Sequence, residues 1–234
     1  PNIRRLEKVL IDFSCKFVFL FKDLIQEYMP LSHLCEKTKE RLSERKAALI
    51  TRQMLEAIAA VHSASLVLTD LQPSKIWIPK ENFPHKKLQV EAFRIHIVEE
   101  QLDGGYSSSF FHIAPEILEG ETYDEKVDVW SIGTCAFYML AGHPPFEAYG
   151  MHEYFQKILT CDLEFFAEDW GSRSPEAVDF IKSLVRKEPE TRLSPTEALK
   201  HPWILEYGHV RLEWKIERLL WIGKRKEGSY CLLS

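Results

Sequence analysis

The residues with the most chemical potential in this chain lie in "LVLTDLQPSKIWI", residues 66–78. There Asp70, Gln72 and Lys75 put a carboxylate, an amide and an ammonium into one polar turn between two apolar segments. Pro73 sits inside the turn, and Ile76 opens the second segment. Lys75 stands five residues after Asp70. A protonated lysine has no lone pair for a divalent cation, and its charge repels one. The nine His residues show no metal-ligand spacing, and no EF-hand loop is present. The five Cys (Cys15, Cys35, Cys135, Cys161 and Cys231) include no C-x-x-C pair.

That turn needs elements on both sides to hold it. Residues 3–29 read as strands, rich in Phe, Val, Leu and Ile. From Leu42 the period changes. "LSERKAALITRQMLEAIAAVHS" predicts a long helix, with Ser43 as N-cap and Ala48, Leu49, Met54, Leu55, Ile58 and Val61 on its apolar stripe. After the turn, residues 76–79 and 88–93 read as short strands, and 94–116 as a loop. From Asp124 the chain turns helical. "VDVWSIGTCAFYMLAG" is apolar nearly all round, which predicts a buried central helix ended by Gly142 and Pro144-Pro145. Ser174-Pro175 and Ser194-Pro195 each place a capping Ser before a Pro, and Glu197 completes a capping box.

The 234 residues are 45% hydrophobic and 28% charged, enough for one large or two modest globular units. A net charge of −5 argues against nucleic acid as a partner of the whole chain. Odd, scattered cysteines read as reduced thiols, and no apolar run reaches membrane-spanning length. With no secretory signal, the expectation is a cytoplasmic protein. Pro1 in place of an initiator Met reads as an excerpt of a longer chain.

The order of these words resembles the large lobe of a eukaryotic serine/threonine protein kinase, most like the calcium/calmodulin-dependent group. "PNIRRL" resembles the segment entering the fourth small-lobe strand, "QEYMP" the hinge, and "DLQPSK" the catalytic loop D-L-K-P-x-N. "IAPEIL" carries the A-P-E signature, while "DVWSIGTCAFYMLAGHPPF" and "KEPETRLSPTEALKHPWI" resemble the buried helix and the closing subdomain. The resemblance implies an α+β, protein-kinase-like fold, mainly the helical large lobe with a remnant of the small-lobe sheet. It divides the chain into a small-lobe remnant and hinge (1–29), a large lobe (30–205) and a basic C-terminal tail (206–234).

The resemblance also assigns roles. Asp70 matches the base that accepts the substrate hydroxyl proton, and Gln72 replaces the loop Lys that touches the transferred phosphate. Lys75 replaces the metal-binding Asn. "AFR" aligns with D-F-G, so Phe93 matches the Phe and Ala92 replaces the second metal ligand; a shifted alignment puts Glu91 there instead. Glu27 and Tyr28 fall at the hinge, and Trp77 lies where the family has a Leu under the adenine. ATP and magnesium are implied by the family alone, with their ligands replaced. Leu68-Thr69 stands for His-Arg, which removes the partner of a phosphorylated activation loop. Structural words survive: Glu116 and Arg192 match a buried ion pair, and Asp128 matches the residue that binds the catalytic-loop backbone. Trp130, Gly133, Pro145 and Trp203 are in place. His62 matches a helix-end packing residue. Ser107, Ser108 and Ser109 are either phosphorylation sites or a solvated run.

The tail mixes Trp214, Leu219, Leu220 and Trp221 with Arg211, Lys215, Arg218 and Lys224-Arg225-Lys226. It reads either as a helix docked on the large lobe or as a surface for calmodulin or membrane. Cys231-Leu232-Leu233-Ser234 fits a prenylation box, which would attach the chain to a membrane. The expected function is a catalytically impaired pseudokinase that regulates or scaffolds protein partners. The alternative is a weak, atypical ATP-dependent serine/threonine kinase with Asp70 as base and Glu91 as substitute metal ligand.

Overall fold

The computed structural model describes residues 6–11, 17–21, 27–38, 41–63, 65, 67–81, 83, 88–91 and 111–209. Five strands form one sheet: β1 (Leu6–Ile11), β2 (Phe17–Phe21), β3 (Tyr28–Pro30), β4 (Ile76–Pro79) and β5 (Gln89–Glu91). Their order is β2-β1-β5-β4-β3, and every pairing is antiparallel. The early strands therefore join the strands after the catalytic-loop-like turn, with Leu10 opposite Glu91 and Ile11 opposite Val90.

Helix α1 (Leu31–Thr38) follows β3 directly. The long helix α2 (Glu44–Ser63) begins where Ser43 Oγ accepts the Lys46 N–H at 3.4 Å. Its core face includes Ala48, Ile50, Met54, Leu55, Ile58 and Val61, whereas Leu49 is half-buried. Gln53 is buried as well, because its Oε1 accepts the Leu88 N–H at 2.8 Å and so has a partner inside the core. Within the segment expected to be loop, Pro115 starts a short helix, α3 (Pro115–Leu118), since its ring presets the first helical φ.

Helix α4 (Lys126–Ala141) runs through the middle. All of its residues except Lys126 and Tyr138 are buried, which explains an apolar pattern without a polar face. It stops at Gly142, whose φ of +84° is the left-handed cap that favours glycine. Gly133 permits close approach of another helix: a Cβ there would stand 2.6 Å from Val185 Cγ2 and 2.9 Å from Leu184 Cβ. The remaining helices are α5 (Met151–Thr160), α6 (Ala167–Trp170), α7 (Pro175–Leu184), α8 (Pro195–Ala198) and α9 (Pro202–Tyr207). Ser174 accepts the Ala177 N–H, and Ser194 forms a full capping box with Glu197. Glu44, at the start of α2, ties three helices together. It accepts from Ser174 N (2.8 Å), Ser174 Oγ (2.6 Å) and Trp203 Nε1 (3.1 Å). No described helix is long and apolar enough to cross a membrane.

Candidate functional site

The turn at residues 68–75 is suspended from the first turn of α4. Asp128 is fully buried, yet its carboxylate is satisfied: Oδ2 accepts the Leu68 N–H (2.9 Å) and Oδ1 the Thr69 N–H (2.8 Å). His62, at the end of α2, brings Nε2 to 2.9 Å from Oδ2, so that nitrogen donates. An anion near a helix N-terminus is also favoured by the aligned peptide dipoles. These bonds hold Thr69 at φ +58°, a left-handed conformation that is costly for a β-branched residue. Asp70 follows directly, its side chain 18% exposed.

Pro73 begins a single 3-10 turn, Pro73–Lys75, closed by Lys75 N–H to Gln72 O at 2.9 Å. That turn curls the side chains of Gln72 and Lys75 back onto Asp70. Gln72 Nε2 donates to Asp70 Oδ1 at 3.0 Å, and the Lys75 ammonium donates to Oδ2. Both carboxylate oxygens are thus engaged, one by a full positive charge. The Lys75 and Asp70 side chains are only 20% and 18% exposed, so solvent screens the pair weakly. Three residues that the sequence put in one loop are brought into direct contact.

The loop does not suit magnesium. That ion needs oxygen ligands in near-octahedral array, and the position expected to supply one carries an ammonium. Among the described residues no group of three or more His, Cys, Asp or Glu is placed to hold a metal ion. Ala92, Phe93 and the side chain of Glu91 lie outside the described residues, as do Ser107, Ser108, Ser109, Cys231 and the tail from Val210.

Beside the turn, β3 pairs with β4, setting Tyr28 opposite Pro79 and Trp77 opposite Pro30. Glu27 O accepts the Lys80 N–H at 2.9 Å, continuing the link. Trp77 and Tyr28 are both buried. The three positions expected around an adenine therefore meet on one strand pair, with the Trp77 indole taken into the fold.

On the other side of α4, Glu116 from α3 meets Arg192. The contact is two-pronged, at 2.7 and 2.8 Å. The remaining guanidinium donors reach Arg186 O (2.8 Å), Lys126 O (3.1 Å) and Lys187 O (2.9 Å), and the group lies 5.1 Å above the Trp130 ring. Every N–H of this buried arginine is used, which is the condition for burying a charge cheaply. His112, which sequence reasoning overlooked, docks the same segment. Thr134 Oγ1 donates to Ser131 O, so it must accept from His112 Nδ1 at 2.9 Å. Burial pushes the His112 pKa down to about 3, leaving a neutral imidazole. A single histidine amid apolar neighbours carries no sequence signal that separates this role from ordinary packing.

Comparison with known proteins places this geometry. Residues 1–204 match the family described as the protein kinase domain. The chain is 33% identical over 213 residues to "Myosin light chain kinase A" of Dictyostelium discoideum, covering 87% of this chain and 68% of that protein. It is 31% identical over 196 residues to "Probable myosin light chain kinase DDB_G0271550" of the same organism, covering 82% and 49%. It is 31% identical over 207 residues to human "Calcium/calmodulin-dependent protein kinase type 1B", covering 87% and 58%. The chain thus spans 49–68% of these relatives' own lengths.

Proposed function

Because the chain belongs to the protein kinase family, we propose that it is a catalytically impaired member, a pseudokinase that regulates or scaffolds protein partners. One observation carries this reading: the Lys75 ammonium sits on the Asp70 carboxylate. A general base must offer a free lone pair to the substrate hydroxyl. Here one Asp70 oxygen holds an ammonium and the other an amide N–H. Each oxygen keeps a second lone pair, so the ammonium competes with a substrate hydroxyl for the carboxylate rather than excluding it. The same ammonium repels the divalent cation on which the family's phosphoryl transfer depends. What supports a binding role is that the pieces fixing the protein surface keep their partners: Asp128 to the loop, and Arg192 to Glu116.

A second reading, a weak serine/threonine kinase acting on proteins, draws support from the names of the relatives and from Asp70 itself. It needs a substrate hydroxyl to compete with Lys75 for Asp70, and Glu91 to supply a metal ligand. Under either reading the partners are proteins, with calmodulin a candidate for the basic tail.

Thermal unfolding with ATP, with ATP plus magnesium and with neither separates the two. A ligand that binds only the folded protein raises Tm by mass action. The impaired reading expects no magnesium-dependent rise and no phosphate transfer to a protein substrate. A rise that needs magnesium, with transfer abolished by Asp70→Asn, would establish the kinase. Lys75→Asn, which removes the ammonium, is the variant in which magnesium dependence should first emerge.

A further inference from the structure

His143 follows Gly142, the left-handed cap that ends α4, so the end of that helix sets its place. Both of its ring nitrogens face oxygen. Nδ1 lies 2.9 Å from Pro144 O and 3.3 Å from Glu147 Oε1, and Nε2 lies 3.1 Å from Asp169 Oδ2 of α6. A neutral imidazole has one N–H and one lone pair, and neither a carbonyl nor an ionised carboxylate can donate to that lone pair. Only the imidazolium, with two N–H groups, satisfies both sides of the ring.

The surrounding charges fit that cation. Asp169 also accepts from the guanidinium of Arg41, just before α2, and Arg41 donates to Glu168 O at 2.8 Å. Arg41, Glu147, Asp169 and a cationic His143 sum to zero, whereas a neutral ring leaves one negative charge over. From α4 the Phe137 ring packs against the imidazole, T-shaped at 5.6 Å. His143 and Glu147 belong to the wall of a cavity of about 550 Å³, which Glu153, Lys157, Asp162 and Glu164 also line. Glu153 is turned to the Tyr149 N–H at 3.1 Å. Among the described residues, Glu147 and Asp169 are the carboxylates paired with the ring.

Those two are not held alike. The Asp169 side chain is 15% exposed and is also bound by Arg41, while that of Glu147 is 70% exposed. A ring left with one N–H keeps it on Asp169, where solvent screens the charge less. Its Nδ1 lone pair then points at the oxygens of Pro144 and Glu147.

We propose that His143 is a proton-operated latch on the α4–α5 connection. The imidazolium holds Glu147 and Asp169 together across it, and loss of the Nδ1 proton to solvent releases Glu147 and loosens the connection. Switches of this kind need a histidine between two arrangements of its partners. The latch is independent of whether the chain transfers phosphate.

NMR of the full chain with isotope-labelled histidine reads both ring nitrogens, and His143→Gln assigns the signal. At about pH 5.5 both should carry protons, and at about pH 8 only Nε2 should. A neutral form protonated at Nδ1 would overturn the proposal, since it would part from Asp169 instead of Glu147. So would a ring whose charge does not change across that range. Amide hydrogen exchange over residues 143–150, corrected for its intrinsic pH dependence, gives the second readout. Protection should be about threefold greater at the acid end. Glu147→Gln, at a mostly exposed side chain, should melt like the parent and abolish that gain. Glu164→Gln removes a charge from the same cavity wall without touching the ring and should keep it. An undiminished gain in Glu147→Gln, or its equal loss in Glu164→Gln, would sink the latch.

Discussion

Among the described residues, the buried charges of Glu116, Asp128 and Arg192 each have hydrogen-bond partners. Arg192 is the clearest case. Its guanidinium is buried and spends all its N–H groups on Glu116 and three carbonyls. Breaking such a pair from one side leaves an uncompensated charge and costs about 3–5 kcal/mol. Glu116→Gln should therefore lower Tm by on the order of 10 °C, taking about 2–4 °C per kcal/mol for a chain of this size. Glu116→Leu with Arg192→Met removes both charges and should recover much of that loss. A double variant less stable than the sum of its singles would sink the argument. Each oxygen of Asp70 also has a partner, Gln72 Nε2 on one and the Lys75 ammonium on the other, with a second lone pair left on each.

Elements meet at distances that single side chains set. Helices α4 and α7 can touch because position 133 has no Cβ. Gly133→Ala gains about 1 kcal/mol of helix propensity, but its methyl would meet Val185 and Leu184 inside contact distance. Overpacking of this kind costs typically about 1–3 kcal/mol, and Leu184 Cβ lies too near its own backbone to swing aside. Net destabilisation is expected in chemical denaturation. Val185→Ala in the same chain should restore part of it, and no recovery would show that the strain lies elsewhere. The β3–β4 pair is the corresponding device on the sheet side, since it fixes Trp77 against Pro30 and so fixes what stands beside the turn.

At the scale of the molecule, the segment entering α3 is held to the central helix through a neutral histidine. His112 has an ordinary pKa of 6.5 when exposed and about 3 in the fold. Between those values the unfolded chain binds a proton that the folded chain refuses, so stability rises with pH across that window. As pH falls from 6.5 towards 5, His112 should cost about 2 kcal/mol at the limiting slope of 1.36 kcal/mol per unit. Denaturation at pH 5, 6 and 7 measures it. His112→Gln should flatten the dependence in that range, and an unchanged slope would assign the acid sensitivity to other groups. Burial raises the thiol pKa values of Cys35, Cys135 and Cys161, Cys35 to about 12, so these thiols are poor nucleophiles near neutrality.

Much of this was written locally. Helix α2 could be read from its period and from Ser43, α4 from its unbroken apolar run and Gly142, and the caps at Ser174 and Ser194 from the Ser-Pro pairs, because each depends on residues within one or two turns. The replacement at Lys75 was legible for the same reason. What sequence could not give were the consequences of folding at long range. Leu49 yielded its core place to Ile50, and Gln53 entered the core, because a backbone N–H 35 residues away needed an acceptor. The joining of β1 and β2 to β5, the docking of His112 on Thr134 and the gathering of aromatics and carboxylates around one cavity likewise have no local signature. Above all, the sequence placed a lysine five residues from an aspartate, and only the turn built by Pro73 decided that the two would neutralise each other. Periodicity and capping act through the nearest turn of chain, whereas the pairing of charges is settled by the path of the backbone in space.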